Sequence, residues 1–326
     1  MSFFRNRDIL LLRALFGAKG EFVSRQELVR MAGISQNELE LSLSSYREAG
    51  YNFEIHPQRG VSLGEIPDVW CAEEILARCP AVTDGIAWDP LFLVETSSTN
   101  DVVREQARKG AKAGFLVAAT RQTKGRGRLG RSWESPSDRG LYVSILLRPD
   151  LAVAEAGQLT ILSSMAMVDA VESISGFRPQ IKWPNDLLLN GRKLAGLLIE
   201  TEREGARLAF AVIGMGINVR HDARDFSPEV RGLATSLYLA TGQLYRRADL
   251  LVALLHAFEK RLGRPFEEVR EAWAASSLTL GQQVTLTTVR GRKHGQALGL
   301  DDSGALLLRN DAGEVEAVTA GDMQAV

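Results

Sequence analysis

A chain of 326 residues with 45% apolar and 24% charged residues has the composition of an ordinary globular protein and the size of two or three domains, which excludes a single small core. Its 39 basic and 40 acidic side chains nearly cancel, so composition supplies no general attraction to nucleic acid or to a membrane. Two cysteines, Cys71 and Cys79, fit no zinc or redox spacing and point to a reducing cytoplasm.

The first apolar run, 9–16, is broken by Arg13 and is too short for a bilayer span; no signal-peptide cleavage pattern follows it. Ile9, Leu12, Leu15 and Phe16 instead fall on one helical face. A second helix over 24–31 meets the turn Ala32-Gly33-Ile34. Ser35 opens a third helix, with Glu38 completing a capping box. Leu39, Leu43 and Tyr46 continue its apolar stripe. Segments 51–55 and 61–63 can pair around 57–60. Three helices and a hairpin form the pattern of a winged helix-turn-helix, setting a first domain at 1–65.

From 66 to 276 strand and helix signals alternate. Strands are predicted over 91–94, 115–120 and 141–147, and a helix over 99–109 closed by Gly110. Leu159, Leu162, Ala166, Ala170 and Ile174 mark a long buried helix. Asn190-Gly191 turns a hairpin between 187–189 and 193–200. A second hairpin turns near Glu204-Gly205 and returns through 209–213. A last helix carries Leu251, Leu254, Leu255, Phe258 and Leu262 and stops at Gly263 and Pro265. From 277 to 326, short apolar runs (284–289, 305–308, 315–318) alternate with turn residues and predict a small β-barrel.

Four segments could carry chemistry. The stretch 121–133, RQTKGRGRLGRSW, packs five cations and three glycines with no acid. Glycine lets backbone N–H groups approach an anion, and arginine binds oxyanions through a planar fork. Its place after a strand favours anion binding over a mobile arginine–glycine tract for nucleic acid. The second segment, 182–186 followed by 192–196, puts Lys193 on a strand of Leu, Ala and Gly, as an edge cation or a site residue. The third, 96–100, offers five consecutive hydrogen-bonding side chains, more than a helix N-cap needs. The fourth, Gly214-Met215-Gly216-Ile217-Asn218, predicts a tight turn. His56, His221, His256 and His294 are scattered and predict no zinc site.

Ser-Thr-Asn (98–100), Gly-Arg-Gly-Arg-Leu-Gly-Arg-Ser-Trp (125–133), Lys-Trp-Pro-Asn-Asp (182–186), Arg-Lys-Leu-Ala-Gly (192–196) and Gly-Met-Gly-Ile-Asn (214–218) together resemble the biotin–protein ligase family. Their order and spacing match its bifunctional bacterial form, a ligase that is also the biotin operon repressor. The resemblance implies an α+β fold with three parts. These are a winged helix-turn-helix at 1–65, a central mixed β-sheet with helices like that of class II aminoacyl synthetases at 66–276, and a small SH3-like β-barrel at 277–326. It implies that the biotin carboxylate attacks the α-phosphate of ATP to give biotinyl-5′-adenylate. A lysine on the biotin carboxyl carrier domain of acetyl-CoA carboxylase then takes the biotinyl group.

By the same resemblance, Lys193 and Arg128 are catalytic. Ser98, Thr99, Asn100, Gln122, Arg126, Gly127, Arg128 and Lys193 hold biotin. Arg128, Arg131, Asn185, Asp186 and Asn218 hold ATP and the adenylate, with Asp186 also a ligand for Mg²⁺. The implied partners are the carrier domain, a second copy in a homodimer, and operator DNA, with no membrane. Leu233 stands where the best-known bifunctional member has an adenine-stacking tryptophan, which predicts aliphatic contact with adenine. The third helix carries Glu38 and Glu40 and no cation before Arg47, so DNA phosphates would meet acids. Gln36 and Asn37 could still read adenine edges, with Arg25, Arg30 and Arg59 on phosphates. Operator binding is left open. Two other readings are a lipoate-type acyl ligase, opposed by the basic glycine loop, and a DNA-binding ligand sensor without activity, opposed by the intact lysine and arginines.

Overall fold

Apolar spacing at the N-terminus organises three helices, α1 (Ser2–Gly17), α2 (Arg25–Ala32) and α3 (Gln36–Glu48), around Leu11, Leu15, Leu28, Leu39 and Leu43. The computed structural model describes residues 2–79, 85–289 and 291–325. Ser24 caps α2 by accepting from Glu27 N, Gly33 ends it at φ 65°, and Ser35 and Glu38 form the expected capping box on α3. Strands β1 (Phe53–His56) and β2 (Gly60–Leu63) pair antiparallel. Gly60 permits a close crossing: a Cβ there would lie 2.0 Å from Val23 O. That approach lets Val23 bridge to Val61.

The next elements are α4 (Ala72–Arg78), β3 (Asp89–Thr96), α5 (Thr99–Arg108), β4 (Phe115–Gln122), β5 (Gly140–Leu147) and α6 (Gly157–Ser175). Then come β6 (Gln180–Lys182), β7 (Asp186–Leu189), β8 (Arg192–Glu204), β9 (Arg207–Asn218), α7 (Leu237–Thr241), α8 (Arg247–Leu262) and α9 (Phe266–Ser276). The seven strands lie in the order β3-β4-β5-β9-β8-β7-β6; β3 and β4 are parallel, and the other neighbours antiparallel. Alternation along β5 shows how the sheet is covered. Val143 and Ile145 join the core built with α6 and α8, whereas Leu146 packs with Val103 and Ala107 of α5. Ser144 therefore faces α5, and this polar position leads to the site.

The chain ends in β10 (Gln283–Thr288), β11 (Gly291–Leu300), β12 (Leu306–Arg309), β13 (Val315–Val318) and β14 (Asp322–Ala325). They form an antiparallel sheet in the order β13-β12-β11-β10-β14. Val284, Leu286, Ala297, Leu306 and Leu308 share one continuous core with α6, α8 and α9. Helices α4 and α9 and the short strand β6 go beyond the sequence expectation, which stopped the last helix at Gly263 and Pro265. Pro265 instead occupies the cap of α9. Glu267 and Glu268 favour its first turn, and Val269 and Trp273 are buried beneath it. Among the described residues, no helix is long and apolar enough to cross a membrane.

Ion pairs built on sequestered acids lie where the three-helix unit meets the rest. Glu74 is fully buried and accepts from Tyr51 Oη (2.6 Å), Arg246 and Arg78. Asp68 accepts from Arg220 (2.5 Å) and Arg247 (2.9 Å). Such groups are stable in the interior because every charge has a partner.

Candidate active site

A cavity of about 590 Å³ opens at the N-terminus of α5, within the size range of small-molecule sites. Ser98, Thr99, Asn100, Gln122, Arg126, Gly127, Arg128, Arg131, Asn185, Asp186, Lys193 and Asn218 all line it. Residues up to 120 positions apart in the chain are thus brought together by the sheet order. Gln36, Asn37 and Arg47 lie outside this cavity, exposed on α3.

The basic loop is built by local hydrogen bonds. Gly127 N donates to Arg131 O (2.7 Å) and Trp133 N to Gly125 O (2.9 Å), while Leu129 and Gly130 take left-handed φ of 55° and 74°. Gly125 is required by contact: a Cβ there would lie 2.5 Å from Trp133 O. The closed loop sends its arginines to different partners. Arg128 Nη1 donates to Asn185 Oδ1 (3.3 Å). Burial lowers the Arg128 pKa, with Asp186 and Asp322 opposing the shift. Arg131 pairs with Asp322 of β14, which raises its pKa. Arg126 forks onto Asp101, at 2.7 and 2.8 Å, and reaches Glu200 at 3.3 Å. The hydrogen bonds from Arg126 hold the Asp101 carboxyl below its ordinary pKa.

At the opposite end, α5 begins in a polar nest. Gln122 Oε1 accepts from Thr99 N (2.9 Å) and Thr99 Oγ1 (3.1 Å), and Gln122 Nε2 donates to Ser135 Oγ (3.0 Å). The glutamine thus supplies the cap for α5, since Ser98 at the cap position makes no side-chain cap bond. Ser144 donates to Asn100 Oδ1 (2.6 Å) and lies 2.6 Å from Thr99 Oγ1; Asn100 Nδ2 donates to Glu200 Oε2 (2.7 Å). Asn100 is 4% exposed, so its amide is fixed in one orientation before any ligand arrives.

Gly214-Met215-Gly216 is not the tight turn expected from sequence. It is the end of strand β9. A Cβ on Gly214 would sit 2.1 Å from Asn100 Oδ1, and one on Gly216 would sit 2.6 Å from Trp133 Nε1. The glycines are there to make room for those two side chains. Trp133 Nε1 is buried without a hydrogen-bond partner.

Lys193 is not an edge cation, because β8 lies between β7 and β9. Its Nζ stands 2.7 Å from Asp186 Oδ1 and 5.4 Å from the centroid of the Trp133 ring. Its backbone N donates to Leu233 O and its O accepts from Thr235 N, which draws 230–235 along the cavity rim. Asn185 Nδ2 is held by Leu197 O (2.8 Å), and Asn218 Nδ2 by Thr235 O (2.9 Å). Leu233 lines the cavity but is 69% exposed. Phe226, which sequence reasoning did not select, also lines it and stacks on His221 with ring centroids 5.0 Å apart. Ser144, Asp101 and Glu200 were missed as well. Ser144 had a signal, as the hydroxyl in the otherwise apolar run 141–147.

Residues 93–218 match the model of the biotin/lipoate A/B protein ligase family, and residues 279–325 that of the biotin protein ligase C-terminal domain. The chain is 34% identical over 318 residues to the bifunctional ligase/repressor BirA of Bacillus subtilis (strain 168), covering 96% of this chain and 97% of that one. It is 31% identical over 300 residues to the protein of the same name from Escherichia coli (strain K12), covering 90% of each. Among solved structures, the biotin protein ligase from Aquifex aeolicus in complex with biotin and ATP aligns with a TM-score of 0.62 at 30% identity, over 72% of this chain and 97% of that one. With a nearly full-length match to such relatives, and the five motifs gathered around one cavity, the chain belongs to the biotin protein ligase family.

Proposed function

We infer that the protein is a biotin–[biotin carboxyl carrier protein] ligase, acting on the carrier domain of acetyl-CoA carboxylase. The observation that carries this reading is the polarity of the cavity: a rigid, uncharged amide and hydroxyl nest at Thr99 and Asn100, held from behind by the buried Ser144, at one end, and Lys193, Arg128 and Arg131 at the other. A neutral ring system with a carboxylate tail fits that gradient, with its tail directed to the cations. The carboxylate oxygen attacks the α-phosphorus of ATP, the bond to the bridging oxygen breaks, and pyrophosphate leaves. Lys193 and Arg128 offset the charge that builds on the phosphate as this happens. Fixing both reactants in one enclosed cavity removes much of the entropic cost of their encounter. The amine of the acceptor lysine then attacks the acyl carbon of the anhydride, AMP departs, and the amine proton passes to solvent.

Asn185 positions Arg128, Asn218 belongs to the nucleotide end, and Phe226 and Trp133 give adenine aromatic surface in addition to Leu233. Among the described residues, no three His, Cys, Asp or Glu side chains converge on a metal site. Mg²⁺ would therefore arrive with the ATP phosphates and take Asp186 as its protein oxygen, neutralising phosphate charge. The test is ATP-dependent transfer of biotin to a purified carrier domain, with lipoate as competitor. Absence of transfer by folded enzyme would overturn the reading, and transfer of lipoate instead would reassign the acyl substrate.

A repressor role is a second reading, favoured by the charges on α3. Glu38 is turned into its capping box and pairs with Arg7 (2.6 Å), and Glu40 pairs with Arg25. Both acids that would oppose DNA phosphates are thus compensated, leaving Gln36, Asn37 and Arg47 exposed. This reading takes 1–65 as a winged helix-turn-helix, 66–276 as the catalytic domain and 277–326 as an SH3-like barrel. It places the protein in the reducing cytoplasm, in keeping with unpaired Cys71 and Cys79. It also takes the active repressor as a homodimer paired through the central sheet. A mobility shift on the upstream DNA of its own biotin genes that requires biotin and ATP supports it; no shift under those conditions overturns it.

A further inference from the structure

The basic loop is tied to the polar nest by a compact ionic cluster. Arg126 gives both ends of its fork to Asp101 and one nitrogen also to Glu200. Arg104 Nη2 joins the same two acids, at 2.6 Å from Asp101 Oδ1 and 3.2 Å from Glu200 Oε2. The Glu200 oxygen that meets both arginines also receives the Asn100 amide at 2.7 Å. Two arginines against two carboxylates leave the cluster neutral, and its members come from α5, the loop and β8. Arg126 lines the cavity wall, but its guanidinium is committed to these carboxylates.

We propose that Asp101, Arg126 and Glu200 form a latch that holds the basic loop closed over the ligand, with Arg126 a positioning residue and not a ligand contact. It rests on the ligase reading above. The geometry follows from charge-assisted, bidentate pairing, which fixes direction as well as distance. Loop closure keeps the anhydride from water and from escape. The latch therefore sets how long the adenylate stays bound, more than how fast it forms. Through the shared oxygen of Glu200, loop position and the orientation of Asn100 change together.

Two measurements test this. Trypsin digestion of the ligand-free chain reads the loop directly, since it offers cleavage sites at Lys124, Arg126, Arg128 and Arg131. Asp101→Asn and Glu200→Gln leave the loop sequence intact and should each raise cleavage there by about threefold to tenfold. Unchanged cleavage in both overturns the latch, and this arm needs no biotin, ATP or turnover. The second measurement is a double-mutant cycle on release of preformed biotinyl-adenylate. Arg126→Gln and Asp101→Asn should each speed release by about tenfold, and the double variant no more than either alone. Arg126→Lys should recover part of the loss, and synthesis at saturating substrate should fall less than release rises. Fully additive effects, or a loss of biotin affinity confined to the Arg126 variants, would show a direct ligand contact instead. Failure of the ligase reading would appear separately, as no adenylate formed by the unaltered chain.

Discussion

Lys193 Nζ lies 2.7 Å from Asp186 Oδ1 across the hairpin that joins β7 to β8. The two groups are 36% and 25% exposed, so the pair adds little to stability. Its importance is placement: Asp186 holds the ammonium in the cavity while a substrate carboxylate or phosphate is absent. Lys193→Ala should lower biotin-dependent pyrophosphate exchange by about 10²–10³-fold, the effect of removing one preorganised charge from a reacting centre. Near-normal exchange would remove Lys193 from the chemistry.

Asp186→Asn separates the two roles given to that carboxylate. As a metal oxygen, its loss should raise the Mg²⁺ concentration needed for half-maximal exchange while biotin affinity changes little. A magnesium titration that superimposes on that of the unaltered enzyme would leave Asp186 as a holder of Lys193 alone.

Gly214→Ala would bring a methyl group to 2.1 Å from Asn100 Oδ1, so strand or amide must move. Displacing Asn100 breaks its bonds to Ser144 and Glu200 together. We expect the biotin Kd to rise by at least about tenfold, with a stability loss of about 1–3 kcal/mol. Isothermal titration with biotin and urea unfolding check the two parts; unchanged affinity would mean that the nest does not hold the biotin head.

These residues also show what sequence could reveal. The loop 125–133 stands out in the sequence because cations on a glycine-rich backbone have few structural uses, whereas Lys193 reads equally as an edge cation until β8 is placed between β7 and β9. Gly214 was misread as a turn, because glycine marks either positive φ or close approach, and spacing alone does not distinguish them. Asp101 and Glu200 look like solvated surface acids in the chain. Asp101 can be paired with Arg104 by helical spacing alone, but its fork from Arg126 and the joining of Glu200 to both arginines depend on the tertiary approach of the loop and β8 to α5. Helix α9 is hidden in the sequence by Pro265, which reads as a stop but starts the next helix.

His221 gives a prediction for pH. It is 1% exposed, and burial lowers its pKa to about 4, with Arg139 adding to the shift and Asp225 opposing it. An unfolded chain takes up this proton near pH 6.5. Between those values the unfolded state binds more protons. Stability is therefore full above about pH 6.5, falls as pH drops toward 4, and loses about 3 kcal/mol from this group in all. Urea midpoints across that window should fall less steeply for His221→Phe than for the unaltered chain. Parallel slopes would mean that the imidazole is not held neutral.

Leu233 offers a gain of function. Segment 230–235 is fastened to β8 by the bonds between Lys193, Leu233 and Thr235, so the Leu233 side chain sits on a fixed rim of the cavity while remaining 69% exposed. An aliphatic group so open to water covers adenine weakly, whereas an indole presents a flat face to it. Stacking of that kind is worth about 1–3 kcal/mol per base, which corresponds to about fivefold to 150-fold in lifetime. Leu233→Trp should slow release of biotinyl-adenylate by that factor and leave the affinity for biotin alone unchanged, because the ring lies at the nucleotide end. Release can be followed by chasing labelled adenylate with excess unlabelled ligand. An unchanged rate would mean that adenine is held by Phe226 and Trp133 without help from this rim, and a weakened affinity for biotin would place the two ends of the ligand in the opposite order.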